Sequence, residues 1–265
     1  LRKSSLKIME TNQIYSDLRC NGCYYYEFKN NESLSKLGQV FSDNFSLQTE
    51  MKPLREEVFV YIWNILMGLN GLEEALRTYL GPSSPVIHEA CTFRVRCQNS
   101  QDQENTSGFW HRDAIGSRLK LFICINQVPL DNAPETWLIP CPHLDPGPRS
   151  WEMARAYIKR EEGKIAIKNI DEQLSQFNVR KVLQKQYSLL IVDTNCIHKG
   201  HYKKSLSTNL NQSRDLIQIS IIGNTELDFY TKLNGQSYTH DPISYSINRS
   251  YNNFNLSNPP FITKH

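Results

Sequence analysis

The sequence predicts a mainly β fold: a double-stranded β-helix, or jelly roll, flanked by N-terminal helices and carrying a helical insertion. Two helical patterns come first, at residues 53–67 and just beyond. Short apolar or alternating runs of strand length then recur from Val86 to Ile222. One long charged segment interrupts them. Helices followed by many short strands favour two antiparallel sheets packed face to face, with the helices outside. At 265 residues the chain is long for one domain and short for two. It reads as a single domain over 1–265, with an N-terminal arm at 1–50, an insertion or lid at 145–184 and a C-terminal tail at 225–265.

The elements follow from local patterns. Residues 1–46 mix polar and aromatic side chains, including Tyr24-Tyr25-Tyr26, and suggest an irregular arm or short strands. Leu54, Val58, Ile62, Ile65 and Leu66 fall on one face of a helix over 53–67, with Pro53 suited to its first turn. Asn70 with Glu73 suggests a capped second helix that stops at Gly81-Pro82. Thr92 to Gln98 alternates as a strand. Leu119 to Val128 is apolar enough to be covered on both faces. Thr136 to Pro140 is a short strand, residues 150–184 read as helical or mixed, and Tyr187 to Asp193 and Arg214 to Ile222 are strands.

Bulk properties exclude several functions. The formal net charge of +3 is too small to imply a nucleic-acid partner, and the basic residues are scattered. No apolar run approaches the roughly 20 residues that span a membrane. No secretory signal reads at the start, so an intracellular, cytoplasmic protein is expected. The seven cysteines are an odd number. Their one close pair, Cys20-Asn21-Gly22-Cys23, is a weak zinc signal without a second pair. Reduced thiols are the plainer reading.

Four residues carry chemistry. His111 and Asp113 stand two apart in Phe109-Trp110-His111-Arg112-Asp113, a spacing that puts both on one face of a strand. His198 leaves the apolar run Ser188–Asp193 beside Gly200. Two histidines and a carboxylate can occupy one face of Fe(II) and leave the other open for a cosubstrate and dioxygen. Arg214 then supplies a planar fork that matches a carboxylate. The set suggests an oxygenase dependent on iron and 2-oxoglutarate. His-Arg-Asp also opens a protein-kinase catalytic loop, but Arg118 stands where that motif requires asparagine. His201 competes with His198 but lies further along. His143, His88 and His240 suit surface or structural roles.

Trp110-His111-Arg112-Asp113, followed by Asn132-Ala133-Pro134 and Ile139-Pro140-Cys141-Pro142-His143, resembles the phytanoyl-CoA dioxygenase family. The likeness covers about residues 50–222. It departs from the family pattern at Asn132-Ala133, where Asn-Gly is usual, and at Pro140-Cys141-Pro142-His143, where Pro-Gly-Ser-His is usual. The resemblance implies that His111, Asp113 and His198 bind Fe(II) and that Arg214 binds the far carboxylate of 2-oxoglutarate. Gln98 and Ser220 are further cosubstrate candidates. No catalytic residue beyond the metal centre is expected.

Arg94, Arg96, Arg118, Lys120, Phe122 and Trp137 are candidate substrate contacts. Their cations suggest a small, carboxylate-bearing substrate. Because Asp113 is present where related halogenases carry glycine or alanine, hydroxylation is the expected outcome. Desaturation or oxidative cyclisation in natural product biosynthesis begins with the same hydrogen abstraction. Three rival readings are a non-catalytic metal-binding or sensing module, a cupin-like metalloenzyme that does without 2-oxoglutarate, and a structural β-sandwich in which the two motif histidines are incidental.

Overall fold

A computed structural model describes residues 12–29, 34–36, 38, 52–81, 86–96, 110–111, 118–126, 135–140, 178–201 and 213–223. Helix α1 (Gln13–Asn21) precedes strand β1 (Cys23–Glu27) and the short β2 (Lys52–Pro53). Helices α2 (Glu56–Met67) and α3 (Leu72–Leu80) follow. The remaining strands are β3 (Val86–Arg96), β4 (Arg118–Cys124), β5 (Glu135–Ile139), β6 (Arg180–Leu183), β7 (Ser188–Asp193), β8 (Ile197–His201) and β9 (Ser213–Ile222).

The strands form two antiparallel sheets, as a jelly roll requires. The larger has six strands in the order β1-β7-β4-β9-β3-β2, and the smaller has three in the order β6-β5-β8. From β6 onward the chain passes from one sheet to the other at each strand, and residues of the two sheets meet in one interior.

Strand β7 has an apolar environment on each face, and β4 and β9 share the one on the helix side. Leu119, Leu121, Ile123, Leu189, Ile191, Ile217, Ile219 and Ile221 pack against the helices. The alternate residues Leu190 and Val192 face the small sheet and meet Leu138, Val182 and Cys196. This double burial explains why β7 is apolar throughout.

Helix α2 is set by packing rather than propensity. Its β-branched Val58, Val60, Ile62 and Ile65 cost a few tenths of a kcal/mol each relative to alanine. Burial of Phe59, Ile62, Trp63 and Leu66 returns roughly 1.5–3 kcal/mol apiece.

Three expectations are corrected. Residues 13–21 form a helix rather than an irregular arm, capped by Asn12, whose side chain accepts from the Tyr15 amide at 3.2 Å. Pro53 lies in β2 at the sheet edge, where a missing N–H is tolerated, and α2 begins at Glu56. Asn70 does not cap α3. Gly71 takes that position with φ 78°, and the Asn12 amide donates to its carbonyl at 2.8 Å. At the end of the expected insertion, Arg180–Leu183 is a strand, while residues 141–177 and the tail from 224 lie outside the described residues. No described helix is long and apolar enough to cross a membrane.

Burial pushes the Cys23 thiol up to about 11. Burial, with the Asp193 carboxylate beside it, pushes the Tyr79 hydroxyl far above the usual phenol range. Unfolding would let the thiol ionise near its ordinary 9 and the phenol near its ordinary 10. The unfolded state therefore binds fewer protons above pH 9, and stability falls as pH rises past that point. A plot of melting temperature against pH should drop between pH 9 and 11, and the drop should be shallower in Tyr79→Phe.

Candidate metal and keto-acid site

His111 and His198 are joined across two chain segments by their backbones. His111 N donates to His198 O and His198 N donates to His111 O, both at 2.9 Å. Residues that exchange both bonds in an antiparallel bridge present their side chains on the same face. The two imidazole rings accordingly lie 4.4 Å apart between centroids, at 53°. The face is the interior one, because His198 pairs in register with Leu138, which packs against the large sheet.

The other side of the same sheet anchors this pair. Trp110 is buried there with Ile139 and Ile197, and Trp137 packs alongside. Two aromatic rings and two branched side chains thus hold the segment that carries His111 against the strand that carries His198.

Two further contacts aim His198. Its Nδ1 lies 2.8 Å from the Cys196 carbonyl, so Nδ1 must donate there. The neutral ring then keeps its lone pair on Nε2, the form that ligates a metal. The turn before it is organised by the fully buried Asp193. Asp193 Oδ1 accepts from the backbone N and side-chain Nδ2 of Asn195, at 2.8 and 2.7 Å, and Oδ2 accepts from the Tyr79 hydroxyl at 2.6 Å. A helix, a strand end and the turn that delivers His198 are therefore tied to one carboxylate. Sequence reading missed this residue's role. An Asp-x-Asn closing an apolar strand is an Asx-turn signal that could have revealed it.

Strand β9 has two faces. Ile217, Ile219 and Ile221 turn to the helices, while Arg214, Gln218 and Ser220 alternate with them on the interior side. All three of these polar residues are buried. Arg214 donates to the side-chain oxygen of Gln184. Lys120 stands opposite Ser220, and Phe122 opposite Gln218, so both belong to the interior face, as does Arg118. Gln184 and Arg180 are interior residues that sequence reading did not single out. Arg180 pairs in register with Leu138, on the face of His198, and its charge acts on the Cys23 thiol of the facing sheet.

Not every candidate is brought to this face. Trp137 lies on the outer side of the small sheet, one residue out of phase with Leu138. There it stacks on His201 at 3.9 Å, with the Lys181 ammonium 4.4 Å from its ring, and donates to Glu135 at 2.7 Å. His201, three residues beyond His198, shares that outer side, which removes it as a competing ligand. The backbones of Arg94 and Arg96 pair in register with Asp215 and Ser213, and their side chains lie outside what the structure describes. Asp113 and Gln98 lie outside the described residues. Cys20 is exposed while Cys23 is buried, so they do not form a metal pair. Among the described residues, no group of three or more His, Cys, Asp or Glu converges on a metal position.

Comparison with solved structures sets this geometry in context. The fold matches the epimerase SnoN from nogalamycin biosynthesis, described as non-heme and alpha ketoglutarate dependent, with TM-score 0.51 and 11% identity over 83% of this chain and 84% of that one. SnoN in complex with Fe3+, alpha ketoglutarate and nogalamycin RO gives TM-score 0.50 and 11% identity over 89% and 93%. EctD from S. alaskensis with bound Fe gives TM-score 0.50 and 10% identity over 81% and 77%. The chain has the fold of these oxygenases. No protein-family profile and no curated protein sequence matches it.

The donor set fits such a group. Two adjacent imidazoles on a buried face, one fixed in its ligating tautomer, suit a divalent first-row metal. Replacing His111 or His198 with alanine should lower Mn(II) affinity in calorimetry by more than the 10–100-fold typical of losing an outer partner. His201→Asn should leave it unchanged. Tyr79→Phe should cost about 1.5–3 kcal/mol in urea unfolding, the range for a bond to a charged acceptor.

Proposed function

We propose that the chain is an Fe(II)- and 2-oxoglutarate-dependent dioxygenase that oxidises an unactivated C–H bond of a small acidic molecule. The observation that carries this reading is the backbone-bridged His111–His198 pair on the interior face, with Arg214 buried on the facing sheet. His111 and His198 would hold the metal, joined by Asp113. Arg214 would take the far carboxylate of 2-oxoglutarate, with Ser220 and Gln218 on the same strand face and Gln98 as a further candidate. With dioxygen, the bound iron and keto acid supply an oxidant able to remove hydrogen from carbon.

The protein's own work is positional. The Cys196 carbonyl keeps His198 in its ligating form. Leu138, Leu190, Val192 and Phe122 keep the interior dry beside the imidazoles. Arg214 pairs with a carboxylate in a low-dielectric setting, where the attraction is strong. An acidic substrate is supported by Lys120, Arg180 and Arg118 on interior faces. The buried Nε of Arg118 has no hydrogen-bond partner among the described residues, and an acid could satisfy it.

Hydroxylation is the reaction we assign, through the carboxylate ligand Asp113. Desaturation or cyclisation would follow from the same hydrogen abstraction if the substrate radical were held away from rebound. The likeness to an epimerase supports keeping that breadth, and a role in natural product biosynthesis accords with it.

An anaerobic mixture of the protein, Fe(II) and 2-oxoglutarate should show a weak visible charge-transfer band. Arg214→Lys should weaken 2-oxoglutarate binding about tenfold to a hundredfold, because a point charge replaces a planar fork. In air, succinate should accumulate when an acidic substrate is supplied. Iron binding with no succinate across a broad acid panel would favour the non-catalytic sensing module instead.

A further inference from the structure

We propose that Gln184 is a positioning residue for Arg214, holding the guanidinium in the attitude that admits the distal carboxylate of a dicarboxylic keto acid. The inference rests on the reading of Arg214 as the keto-acid anchor.

Gln184 opens the four-residue link between β6 and β7, and that link is clamped to the end of β4. Tyr187 N donates to Cys124 O at 2.8 Å, Gln186 Nε2 donates to Ile125 O at 3.1 Å, and Phe28 N donates to Tyr187 O at 3.1 Å. Ser188 Oγ donates to Lys185 O at 2.6 Å within the link. Tyr187 adopts φ 55°, a left-handed conformation uncommon outside glycine. The chain accepts that strain where several bonds fix the path.

The path leaves Gln184 buried at 5% exposure, with both ends of its amide engaged. Nε2 donates to the Phe122 carbonyl at 3.1 Å. A carbonyl only accepts, so the amide cannot be reversed, and Oε1 must face Arg214, which only donates. The Cys124 thiol also neighbours the guanidinium. Burial raises that thiol and the Arg214 charge pulls it part of the way back. Amide oxygen and protonated thiol are both uncharged at neutral pH. They fix the fork without cancelling its charge. Glutamate has nearly the shape of glutamine, yet in this place it would be an internal carboxylate competing with the cosubstrate for the same fork.

The test compares Gln184→Glu, Gln184→Met and Arg214→Met in the full chain loaded with Mn(II). Calorimetry measures 2-oxoglutarate and 2-oxopentanoate, which lacks the distal carboxylate, and melting is followed without ligand. Gln184→Glu should weaken 2-oxoglutarate at least about tenfold. It should leave 2-oxopentanoate binding near that of the parent. Gln184→Met should weaken 2-oxoglutarate several-fold, and it decides the matter if the glutamate variant fails to fold. If Arg214→Met loses 2-oxoglutarate while both Gln184 variants bind it as the parent does, the positioning role is overturned. Equal losses for both keto acids in the Gln184 variants would also overturn it, by pointing to general structural damage. If Arg214→Met itself binds normally, the keto-acid reading fails and this inference falls with it.

Discussion

Two hydrogen bonds between the backbones of His111 and His198 set most of what the interior can do. They fix the register between two segments far apart in sequence, and register in a bridge decides which face each side chain takes. A slip of one residue would turn one ring to the outer side, where Trp137 and His201 stack. Trp110, buried beside Ile139 and Ile197, opposes that slip, because its own burial depends on the same phase. The apolar residue and the imidazole next to it are thus set by one constraint acting through opposite faces.

Strand β9 carries the same logic on the large sheet. Its isoleucines are packed by α2 and α3, and that packing forces Arg214, Gln218 and Ser220 inward. Burying a guanidinium costs several kcal/mol unless hydrogen bonds and charge partners offset it. The helix-side core therefore stabilises the fold and also bears the cost of placing polar groups between the sheets. Two buried polar groups have defined contacts on both sides: Gln184 with Arg214 and Phe122, and Asp193 with Tyr79 and Asn195.

Much of this was legible in the sequence where period and chemistry coincide. The two-residue alternation of β9 separates Arg214 from Ile217 in the sequence itself, and the apolar run of β7 announces a buried strand. The metal candidates His111 and His198 were readable as residue types in order, and the structure brings them side by side. Phase across a distant pair was not readable. Nothing in Glu135–Ile139 alone says whether Leu138 or Trp137 faces inward, since both are large and apolar. Trp137 was assigned inward, and its pairing with Lys199 rather than His198 places it outward. Gln184 and Arg180 were hidden for another reason. They sit in a charged stretch whose pattern resembles a solvated helix, and only strand pairing shows which of its polar residues turn inward.

Several strained or buried polar features lie at connections and strand ends. Tyr187 lies in the β6–β7 link, Asp193 opens the β7–β8 turn, and Arg214 stands near the start of β9. Connections choose where the next strand begins, and so choose the phase of everything on it. The Asp193 turn sets the phase of β8, and with it the side on which His198 falls. The β6–β7 link sets where β7 begins, and with it whether Gln184 lies within reach of Arg214. A local rule broken at a connection, such as positive φ at tyrosine or a carboxylate buried against a phenol, is offset by the bonds around it. In return, side chains from separate strands arrive on one face.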